Sequence, residues 1–114
     1  MGGYAVTTYI RAEIVGWVSD DFPTIAECRF VDRFGKVWAI VEKLPVLSVA
    51  DLRSDSQFPQ PAHIACEIVA RRQDDAGREI ADVTTEVPWG IEATDGTTSF
   101  QLHAEQLQSD PTEL

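Results

Sequence analysis

Three acidic, glycine-bearing turns punctuate this chain, each set between runs of alternating apolar residues: Asp32-Arg33-Phe34-Gly35, Asp74-Asp75-Ala76-Gly77 and Thr94-Asp95-Gly96-Thr97. An Asp side chain can accept hydrogen bonds from the backbone just ahead of it, and Gly supplies a positive φ without steric cost. Alternation with a period of two places successive side chains on opposite faces of a strand. Such runs on both sides of tight turns demand antiparallel hairpins, so an all-β fold is expected.

The strands are expected at residues 6–18, 25–32, 36–43, 62–72, 78–87 and 98–104, with a short edge segment at 91–93. Gly16 marks a place for a bulge in the long first strand. The 17-residue connection from Pro45 to Pro61 is long for a compact domain. Ser48 followed three residues later by Asp51 predicts at most one short helical turn near 48–53. Six to seven short strands fit a small antiparallel barrel, with a two-sheet sandwich as the alternative. The barrel is preferred because closure removes exposed edges. Residues 1–114 are expected to form a single β domain, with 1–5 and 105–114 as loose ends.

The chain carries 9 basic and 19 acidic residues, a formal net charge of −10. The charge is uneven: residues 1–45 hold five basic and six acidic groups, residues 46–114 four basic and thirteen acidic. This balance opposes the phosphate attraction that dominates nucleic-acid binding and the attraction to anionic membranes. It would steer a basic protein partner towards the second half. No stretch has the pattern of a signal peptide or the apolar length of a membrane helix, so a cytoplasmic location is expected.

No motif marks a known family or a reaction. His63 and His103 lie at no metal-binding spacing from each other or from a cysteine, and neither a zinc nor a calcium pattern is present. Cys28 and Cys66 sit among apolar neighbours and read as small buried hydrophobes, although a disulfide between their strands is open on sequence grounds. Nucleophile, phosphate and dinucleotide motifs are missing, so no enzyme activity, cofactor or metal is expected.

The aromatic residues carry the functional expectation. If the faces of the first strand run unbroken, Tyr9 and Trp17 lie opposite Ile10, Ile14 and Val18. In the third strand Trp38 and Ile40 lie opposite Val37, Ala39 and Val41. Both faces are then partly apolar, and either the 45–61 segment folds over the outer one or it docks a partner. Trp89 adds a third tryptophan in an irregular segment. The leading expectation is a non-catalytic module that binds a protein partner through Tyr9, Trp17, Trp38, Ile40 and Trp89. One version is an immunity- or antitoxin-type protein that neutralises a basic partner. Two alternatives are a small-ligand barrel opening near Trp89, its interior lined by Ala12, Gly16, Ala26, Cys28, Ala39 and Ala65, and self-association through Trp17 and Trp38.

Overall fold

A computed structural model of the chain describes residues 7–19, 21–48, 50, 52–53 and 55–109. The strands are β1 (Thr8–Ser19), β2 (Ile25–Val31), β3 (Val37–Lys43), β4 (Gln60–Gln73), β5 (Glu79–Thr84), β6 (Ser99–His103) and the two-residue β7 (Leu107–Gln108). They form one antiparallel sheet in the order β3-β2-β1-β4-β5-β6, with β7 returning to pair with β1, and the sheet curls into a half-barrel. The all-β architecture is the expected one.

The Asp/Gly turns work alike. Asp32 Oδ1 accepts the N–H groups of Phe34 and Lys36, and Asp74 Oδ1 those of Ala76 and Arg78. Asp95 Oδ1 accepts the Thr97 N–H. Gly35, Gly77 and Gly96 then take φ of 82°, 81° and 89°, where a side chain would be strained. These turns are structural.

Two bulges break the phase of β1. Ile14 pairs with Cys28 and Gly16 with Glu27, so Val15 is left over; Trp17 pairs with Ala26 and Ser19 with Ile25, so Val18 is left over. Each extra residue flips every later side chain to the other face. Trp17 therefore sits on the same side as Ile10 and Ile14, packed against the core, while Val18 is 55% exposed. The unbroken face expected for β1 is thus corrected: the bulge at Gly16 is real, and it carries Trp17 inward.

In β3 the expected grouping holds but the core face is the other one. Trp38 pairs with Phe30 and Ile40 with Cys28. Ile40 is fully buried and Trp38 packs on the core, whereas Val37 and Val41 are exposed. Both faces of this strand are apolar, so only its cross-strand neighbours decide which one turns inward.

β4 is the corner. Its residues from Gln60 to Cys66 pair with β1, and those from Glu67 to Gln73 with β5, with Val69 bulged out between. The run from Ala62 to Cys66 is buried on both faces, one lining the barrel and the other lying beneath a single helical turn, α1 (Leu44–Leu47). That turn falls earlier than expected. Pro45 sits in its first turn, where a backbone N–H has no intrahelical partner to lose and the fixed φ suits the helix. Ser48 is extended and its Oγ accepts the Ala50 N–H instead of continuing a helix; Val49 and Asp51 lie outside the described residues.

The gap between β3 and β6 is bridged by single bonds. Arg33 N–H donates to Gln101 O at 2.9 Å and Thr94 N–H to Ala39 O at 3.0 Å. Phe100 meets Phe30 and Trp38 edge to face, with ring centroids 5.1 and 5.0 Å apart. After β6 a 3-10 turn (Ala104–Gln106) and β7 are ordered against β1 and β2, the Gln106 side chain donating to Val31 O at 2.7 Å. The expected loose end thus differs from 105 to 109, because these residues complete the closure; 110–114 and 1–5 lie outside the described residues.

Replacing Ile40 with Ala is expected to cost about 2–5 kcal/mol in urea unfolding, and replacing Val37 with Ala under about 1 kcal/mol. Equal losses would contradict the assigned core face.

Candidate functional site

The five residues expected to form one binding surface are separated by the fold. Ile40 lies inside the barrel. Trp38 lines it too, its indole donating to Asp32 Oδ2 at 2.9 Å and its ring lying beneath Lys36 Nζ. The Asp32 carboxyl feels burial, which opposes its charge, but the bonds from Trp38, Lys36 and Phe34 outweigh it and hold its pKa below the usual value. Trp17 meets Phe58 edge to face at 5.3 Å, so the long connection covers it. Self-association through Trp17 and Trp38 would need rings that this fold spends on its own core.

Only Tyr9 and Trp89 meet at the surface, their ring centroids 6.3 Å apart. Tyr9 precedes the bulges and points to the outer face of β1, opposite Ala65, and its ring also meets His63 edge to face at 6.3 Å. Trp89 is 52% exposed. Its turn is held from below by Thr85, a fully buried polar residue whose Oγ1 donates to Ile91 O at 2.6 Å and whose N–H donates to Thr98 O at 2.8 Å. Ile91 N–H returns to Thr85 O, Gly90 N–H bonds Glu86 O, and Gly90 takes φ 66°. An exposed tryptophan on so constrained a turn is presented in one place, not waved on a loose loop.

Beside it lies a notch of about 40 Å³, lined by Tyr9, Pro45, Val46, Leu47, Ser48, His63 and Trp89. His63 is only 4% exposed and its Nδ1 has no hydrogen-bond partner. Burial and the positive charge of Arg11, its cross-strand neighbour, both lower its pKa, so it is neutral at pH 7. Arg11 directs its own guanidinium towards Gln108 Oε1 and Glu105 O. His63, Ser48 and α1 were not singled out by sequence as part of a site. The signal was a histidine inside the otherwise apolar run Ala62-His63-Ile64-Ala65-Cys66, which only a second covered face explains.

The lining of the notch itself holds no carboxylate. Glu86 belongs to the Trp89 turn, its N–H bonded to Thr84 Oγ1, and Glu67 pairs in register with Thr84. Among the described residues neither is in an ion pair, whereas Arg29, Arg71, Arg72 and Arg78 each meet a carboxylate. The chain as a whole carries a formal net charge of −10.

Burial pushes the thiols of Cys28 and Cys66 up to about 12, aided at Cys28 by Glu27 and Glu42, so neither is a thiolate at neutral pH. Cys28 lies across from Ile14 and Cys66 across from Thr8, positions roughly 20 Å apart along β1, which leaves both thiols free. Among the described residues no group of three or more His, Cys, Asp or Glu is placed to hold a metal ion, and no helix is long and apolar enough to cross a membrane. A groove of about 550 Å³ is lined by Arg11, Ala12, Glu13 and Val15 of β1, Arg29, Phe30 and Val31 of β2, and Phe58 and Pro59. The barrel interior itself is occupied by Phe30, Trp38, Phe100 and the buried isoleucines.

His63 gives a pH dependence whose sign is fixed. Unfolded, its imidazole protonates near its ordinary value of 6.5, and folded, only at lower pH. Below about 6.5 the unfolded chain binds more protons, so stability present above that pH is lost as pH falls towards the folded value. Urea unfolding between pH 7.5 and 5 should show this loss in the wild type and a flatter profile in His63→Gln. Parallel profiles would contradict a buried neutral His63.

Compared with protein-family models, curated proteins and solved structures, the chain matches none.

Proposed function

We propose that this chain is a non-catalytic module that binds a basic protein partner, with Trp89 as its anchor. The observation that carries the reading is the half-exposed Trp89, fixed by buried hydrogen bonds on a molecule whose formal net charge is −10. Rigid aromatic residues are favoured as interface anchors because they bury a large area while losing little conformational freedom. The acidic surface supplies the second ingredient, long-range steering of a positively charged partner and rejection of acidic ones.

An immunity- or antitoxin-type protein, which neutralises a basic toxin by covering it, is the version that best fits these two ingredients. The tryptophan-bearing surface of this reading is narrower than sequence suggests, since it consists of Trp89 and Tyr9 with the edge of α1.

The test is affinity capture from the native host with the wild-type chain and Trp89→Ala, followed by binding kinetics with the captured protein. The partner should be basic, and its association should slow steeply between about 50 and 500 mM salt as the Debye length shrinks. Trp89→Ala should weaken binding by about 2 kcal/mol, roughly thirtyfold in Kd. A partner held equally well by Trp89→Ala, with salt-independent association, would contradict the reading.

A further inference from the structure

We propose that the slot between the open edge of β3 and the segment around Glu92 receives an extended, basic segment of the partner as an added strand. This inference rests on the basic-partner reading and names how that partner docks.

The backbone comes first. Lys36 O accepts the Asp32 N–H and Leu44 N–H donates to Thr24 O, so the even-numbered positions along β3 bond towards β2. By alternation Val37, Ala39, Val41 and Lys43 turn their N–H and C=O groups to the seam. Ala39 O is taken there by Thr94 N–H at 3.0 Å, and among the described residues no backbone bond crosses the seam to Val41.

The facing wall has the same character. Ile91 and Ala93 turn their N–H groups away, to Thr85 O and Thr97 O, and Glu92 between them makes no backbone bond among the described residues. The two walls are pinned at Ala39 and Thr94 and part beyond that bond. They leave a slot of about 250 Å³ lined by Val41, Glu42, Gly90, Glu92, Ala93 and Thr94. Unpaired backbone donors and acceptors along a strand edge are what an added strand bonds to. The usual protections of an edge are missing from β3, which holds no proline and keeps an unshifted register with β2 from Ile25 and Lys43 to Val31 and Val37.

Charge then selects the occupant. The slot has two carboxylates in its lining, Glu42 and Glu92, and no basic residue. Among the described residues neither glutamate is in an ion pair, although Glu42 Oε1 accepts the Lys43 N–H at 3.3 Å. The nearby cations are placed elsewhere: Lys36 lies over the Trp38 ring, and Lys43 alternates to the face opposite Glu42. A strand bearing Lys or Arg meets opposite charge here, whereas an acidic one meets like charge on both walls. Gly90 makes the slot continuous with the Trp89 turn, so one partner segment reaches both the anchor and the edge.

The test is an NMR titration of the full, 15N-labelled chain with a short capped peptide alternating lysine and valine, and with its glutamate-for-lysine counterpart. The lysine peptide should shift the Val41 and Glu92 amide signals, slow their hydrogen exchange, and bind roughly fivefold or more tighter than the glutamate peptide. Val41→Pro removes a seam-facing N–H that β2 does not use, and proline is tolerated on an edge, so the fold should be kept and binding reduced several-fold. As a second variant, Glu92→Gln should narrow the preference for lysine over glutamate. Equal binding of the glutamate peptide would overturn the proposal. Lysine-peptide binding without slowed exchange at Val41 and Glu92 overturns the added strand. Failure of the lysine peptide to bind overturns it too. In each of these cases the basic-partner reading stands or falls separately, on the capture experiment with Trp89→Ala.

Discussion

The register of β1 against β2 is the constraint on which everything else depends. Two leftover residues, Val15 and Val18, turn a strand that would otherwise keep one face into one that changes face within its own length. The N-terminal half can then place Tyr9 outside while the C-terminal half places Trp17 inside. Bulges also increase local twist, and a sheet must twist and bend to curl. The Val69 bulge in β4 does the same at the opposite corner, where that strand leaves β1 and takes up β5. The half-barrel is the consequence of these irregularities as much as of the strands themselves.

Curling leaves a seam between β3 and β6, and the molecule closes it with individual contacts, not a ladder. Arg33 to Gln101, Thr94 to Ala39 and Gln106 to Val31 span it, with Phe100 filling the space behind. The Asp32 turn stands at this seam. Its carboxylate orders the β2–β3 turn with one oxygen and holds the Trp38 indole with the other, so the same side chain that shapes the hairpin also commits a tryptophan to the core. The seam also leaves the edge of β3 screened at Ala39 by the segment carrying Thr94, which hinders strand-to-strand association at that point.

Much of this fold was legible in the residues. The Asp/Gly turns, the all-β architecture, the bulge at Gly16 and the burial of Cys28 and Cys66 all follow from local chemistry that acts within a few residues. What could not be read is phase beyond a bulge, because whether an extra residue is absorbed depends on the partner strand. That is why Trp17 belongs with the core. Trp38 escaped for a different reason: Val37, Ala39 and Val41 are as apolar as Trp38 and Ile40, and only Phe30 and Cys28 across the sheet break the tie. The notch was hidden for a third reason, since it joins Tyr9, Leu47, His63 and Trp89 from four distant parts of the chain.

Three tryptophans thus have two fates. Trp17 and Trp38 are spent on packing, and Trp89 is held out towards solvent. The most direct check of that division is acrylamide quenching of three single-tryptophan variants, each retaining one of the residues with the other two replaced by Phe. The account predicts that Trp89 fluorescence is quenched several-fold more efficiently than that of Trp17 or Trp38. Comparable quenching of all three, or a protected Trp89, would contradict it.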